Sequence, residues 1–153
     1  MNKYFIILLA VITLASCKNS GDKNVVEVDT AAASNIYSWE ADLSDSTGGL
    51  QMKKVATGGP DSLEVHAVIR FLNNSNPQIQ LQLVKTSNDT IYVKIPDANY
   101  LTQQMGSSGP SFFFAETVYN LTEIPGFKYV NFDFEEGDHA APGTLNRDSF
   151  KNQ

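Results

Sequence analysis

One cysteine, two histidines and one tryptophan stand among the 153 residues, and 11 Lys and Arg face 17 Asp and Glu. Each shortage excludes a class of chemistry. A single cysteine forms no internal disulfide and no multi-thiolate metal centre. His66 and His139 sit at no spacing that builds a metal site with each other or with nearby acids, so no cofactor or metal is expected. The acidic balance has no basic run or stripe within it, so nucleic acid is not an expected partner. Attraction to a bare anionic bilayer by charge alone is excluded on the same ground. The length and a 42% hydrophobic content fit one compact domain.

What is present begins at the N-terminus. Met1-Asn2-Lys3 is a short positive leader, Tyr4 to Thr13 an apolar stretch too short to span a bilayer as a stable helix, and Leu14-Ala15-Ser16-Cys17 a small-residue site ending in the cysteine. This segment resembles the lipobox of bacterial lipoproteins. The resemblance implies that residues 1–16 are a signal peptide, and that a mature chain of 137 residues starts at a lipidated Cys17, carried on acyl chains such as palmitate. Loss of Lys3 leaves the mature chain at a net charge of −7, against −6 before cleavage. Residues 17–34 read as a polar tether behind the anchor. Lys18 stands where inner-membrane lipoproteins of enterobacteria carry aspartate, so the resemblance leans to the outer membrane. Asp29-Thr30-Ala31 is similar to a short O-glycosylation acceptor motif, with Thr30 as the candidate residue.

Periodicity then predicts a mixed α/β domain over 35–137. Ile36 to Leu43 alternates with Tyr37, Trp39, Ala41 and Leu43 on the apolar face, and Leu50 to Val55 is its antiparallel return. Asp61 and Glu64 suggest a capping box for a helix whose stripe includes Leu63, Ala67 and Phe71. Ile79, Leu81 and Leu83 form one strand of a second hairpin, and Ile91, Val93 and Ile95 the other. A connector with a short helical turn leads to a second helix with Pro110 in its first turn, ended by Pro125-Gly126. Val130, Phe132 and Phe134 mark a last strand, and 138–153 reads as a tail that wraps the domain or stays mobile. The expected architecture is α/β (α+β): a single mixed sheet in the order β-β-α-β-β-α-β, with both helices on one face.

The run Gly106-Ser107-Ser108-Gly109, a helix, Tyr119-Asn120-Leu121-Thr122-Glu123-Ile124-Pro125-Gly126-Phe127 and the turn Phe134-Glu135-Glu136-Gly137-Asp138 resemble the second half of the GerMN domain. That resemblance implies a fold similar to the ring-building modules of membrane-spanning secretion complexes, and no catalytic activity.

The residues themselves offer few sites. His66 reads as a partly buried helix residue and His139 as an exposed loop residue. Asp133, Glu135, Glu136 and Asp138 could gather oxygens for calcium, but the spacing is not that of an EF-hand, and a solvated strand edge explains them better. Gly106-Ser107-Ser108-Gly109 has neither the spacing of a nucleophile elbow nor the lysine of a phosphate loop. Three consecutive rings, Phe112, Phe113 and Phe114, sweep about 300° around a helix, so one is expected to be partly exposed. Phe112 or Phe113 either packs against the Tyr100–Met105 connector or, extended by Tyr92, offers the candidate interaction surface. The expected function is therefore a lipid-anchored, non-enzymatic envelope lipoprotein that binds an envelope protein or peptidoglycan, through a sheet edge or this surface. A small cell-wall enzyme and an apolar-ligand carrier are the alternatives.

Overall fold

The computed structural model describes residues 36–44 and 49–151; the lipidation site Cys17 and the candidate glycosylation site Thr30 lie outside the described residues. Mixed α/β character holds, but the single sheet does not. β1 (Ser38–Leu43) and β2 (Leu50–Val55) pair antiparallel as a separate two-stranded ribbon. The main sheet has four strands in the order β3 (Gln82–Ser87), β4 (Thr90–Lys94), β5 (Tyr129–Asp133), β6 (Gly143–Asn146). Its β4–β5 pair is parallel and the outer two pairs are antiparallel. The physical reason for two sheets is that the outward backbone edge of β1 is taken by the second helix rather than by another strand, as described below.

The first helix, α1 (Val65–Ser75), starts three residues later than the capping-box reading placed it, with Glu64 and not Asp61 at the N-cap. Glu64 stands extended at the N-cap with no side-chain capping bond, and Asp61 lies in solvent, 3.8 Å from Arg70. Burial explains the shift, because Ala67, Val68, Ile69 and Leu72 are buried whereas Leu63 is 37% exposed. No buried contact rewards a helical first turn at Leu63. His66, expected to be partly buried, is exposed. With 100° per residue it lies about 160° from the buried Val68 and about 40° from the exposed Arg70.

Ile79 and Leu81 are buried but precede β3, which begins at Gln82. Their backbone is held by α1 instead: Asn73 donates Nδ2 to the Leu81 carbonyl (3.0 Å) and accepts from the Leu81 N–H (2.8 Å). β3 and β4 meet through Asn88, at φ 52°, a conformation that asparagine tolerates. Between β4 and β5 the chain makes a π-helical turn (Tyr100–Gln104) and then α2 (Gly109–Leu121), with Pro110 in the first turn as expected. Gly126, at φ 94°, reverses the chain after α2.

The 138–153 segment is the largest addition to the expected element order. It supplies β6 and a 3-10 turn (Arg147–Phe150) capped by Asn146, and Phe150 enters the core. That core joins Ile91, Val93, Val130 and Phe132 of the sheet to Val68 and Leu72 of α1 and Phe114 and Val118 of α2. Phe114 meets Phe132 edge-on at 4.9 Å between centroids.

Candidate functional site

α2 has core on several sides, and this places the aromatic residues. Phe113 is only 2% exposed and packs edge-on against Phe114, so it is not an interaction surface. The expectation for Phe113 fails because the helix is covered by the sheet and by the β1–β2 ribbon, so two of its three consecutive rings find core. Phe112 is half-buried and lines a small groove with Leu43 and Leu50. Leu43, expected on a buried strand face, is 56% exposed, while Ser38 on the opposite side of the same strand is 1% exposed.

Tyr92 does not extend the Phe112 surface. It alternates with the fully buried Ile91 and Val93, so it belongs to the sheet face turned away from the core. There it forms a row across the four strands with Lys85, Asn131 and Thr144. Lys85 Nζ lies 4.7 Å from the Tyr92 ring centroid, and Asn131 donates to Thr144 Oγ1 at 2.7 Å. The carboxylates Asp133, Glu135, Glu136 and Asp138 are exposed, as is His139. Among the described residues no three His, Cys, Asp or Glu side chains gather as a metal site.

The densest polar assembly is one that periodicity did not reveal, at the seam between α2 and β1. Asn120 accepts from the Trp39 N–H (2.9 Å) and donates to the Trp39 carbonyl (2.8 Å), and Glu116 Oε1 accepts from the Ala41 N–H (3.0 Å). The match is metric. Four helical residues advance about 6 Å and two strand residues about 6.6 Å, so Glu116 and Asn120 meet alternate backbone groups as a neighbouring strand would.

Just beyond the C-terminal end of α2, Glu123 accepts from the Tyr37 hydroxyl, from Trp39 Nε1 (3.0 Å) and from Arg147 Nη2 (2.7 Å). Arg147 also donates to Thr122 Oγ1 (2.8 Å) and to the Tyr119 carbonyl (2.9 Å). Its guanidinium carbon lies 5.4 Å from the Trp39 ring centroid and 4.9 Å from that of Tyr119. Lys54 covers the other end, 4.1 Å from the Tyr37 ring and 4.9 Å from the Trp39 ring.

The two acids of this seam titrate in opposite senses. Burial pushes the Glu123 carboxyl up, but hydrogen bonds from Tyr37, Arg147 and Trp39, with the Arg147 charge, outweigh it and hold the group at about 2. Among the described residues no cation pairs with Glu116. Burial pushes its carboxyl up, the Ala41 N–H opposes that, and the charge of Glu40 adds to the rise. Glu116 also lines a cavity of ≈ 330 Å³ between β1, α1 and α2, together with Trp39, Glu40, Phe71 and Asn120. No protein family model, no characterised protein and no solved structure matches the chain.

Proposed function

We propose that this chain is a lipid-anchored, non-enzymatic lipoprotein of the bacterial envelope, held to the outer membrane through Cys17, whose GerMN-like domain binds an envelope protein or peptidoglycan. The observation that carries the binding reading is the cavity at the ribbon–helix seam. A concave site that combines apolar lining residues with a few placed polar groups is the usual form of a binding site. It is held open by a ribbon fastened through side chains rather than by a continuous sheet. The filled core around Phe113, Phe114 and Phe132 favours this reading over an apolar-ligand carrier, which needs a sizeable internal apolar cavity.

The anchor reading rests on the Leu14-Ala15-Ser16-Cys17 segment. It predicts that Cys17→Ser moves the protein from the membrane fraction to the soluble fraction, as judged by fractionation and immunoblotting. Retention of that variant in the membrane pellet overturns it. Crosslinking of the tagged protein in living cells tests the binding reading. It predicts that one envelope protein or peptidoglycan is recovered with the anchored form and lost from the Cys17→Ser form.

A further inference from the structure

We draw no further inference here: the strongest candidate, the outward face of the four-stranded sheet with its groove of ≈ 450 Å³ along Val84, Tyr92 and Pro142, carries none, because Lys85 already lies over the Tyr92 ring and nothing in the structure shows what covers the face.

Discussion

At the scale of single residues, α2 combines side chains whose polar atoms are all used with one whose polar atom is not. Asn120 is 4% exposed, and its amide meets the Trp39 N–H, the Trp39 carbonyl and the Glu116 carbonyl. Thr117 is fully buried, and its hydroxyl has no partner among the described residues. A buried hydroxyl without a hydrogen bond costs about 1–3 kcal/mol relative to water. Thr117→Val removes that cost at nearly constant volume. It is therefore expected to raise stability by about 1 kcal/mol, measured as a higher midpoint in urea at unchanged slope. A loss of stability would show that the hydroxyl is satisfied in solution.

At the scale of elements, the β1–β2 ribbon is the part with the least of its own to hold it. Two strands alone are marginal in water, so the ribbon depends on α2. Asn120→Leu fills similar space but leaves the Trp39 N–H and carbonyl without partners. The expected cost is about 2–4 kcal/mol from two orphaned backbone groups. The loss should be local first. Hydrogen exchange at the β1 amides should accelerate well before that at β4 and β5, because Ile91, Val93, Val130 and Phe132 lie in a separate sheet. Uniform acceleration in all strands would show that ribbon and sheet unfold as one.

The same element shows what was legible in the sequence. Alternation marked β1, β2, β4 and β5, and Pro110 and Pro125-Gly126 marked the ends of α2, because these signals are local. The single sheet was wrong because alternation says that a strand exists and not what pairs with it. Asn73 and Asn120 look like ordinary polar positions in helices, yet each brackets one residue's backbone in a distant segment. Nor does β6 show in the sequence. It is four residues long, GTLN, too short for alternation to register, and its place is fixed by pairing with β5. The seam site was hidden for the same reason: Tyr37, Trp39, Glu116, Glu123 and Arg147 come together from three separated stretches. Phe112 was legible as a partly exposed ring, whereas Phe113 was not distinguishable from it until the layers on both sides of α2 were known.

At the scale of the whole molecule, the seam makes the attachment of the ribbon depend on pH in a way whose sign can be worked out. Glu123 is held at about 2 in the folded state against an ordinary value of 4.5. A group with a depressed folded value contributes stability that is fully present above the ordinary value and is lost as pH falls towards the folded one. The Glu123 contribution is therefore intact at neutral pH and disappears between about 4.5 and about 2. Glu116, raised in the folded state, works the other way. Its proton is retained more readily when folded, so the contribution exists below the ordinary value and is lost as pH rises through the raised one.

Glu116 on α2 and Glu123 just beyond its C-terminal end grip the same segment, Tyr37 to Ala41. On acidification, protonation of Glu123 weakens the grip on Tyr37, Trp39 and Arg147 while protonation of Glu116 relieves its repulsion from Glu40. Glu123 has three donors to lose and Glu116 keeps its bond from Ala41, so acid should loosen the Tyr37 end of β1 first. Trp39 fluorescence should accordingly change between pH 4.5 and 2 ahead of the far-ultraviolet circular dichroism of the sheet. Glu123→Gln removes the titrating group and should flatten that early transition, at the expense of a less stable ribbon at neutral pH. A wild-type profile in which both signals move together, or an early transition that survives in Glu123→Gln, would place the acid sensitivity elsewhere in the chain.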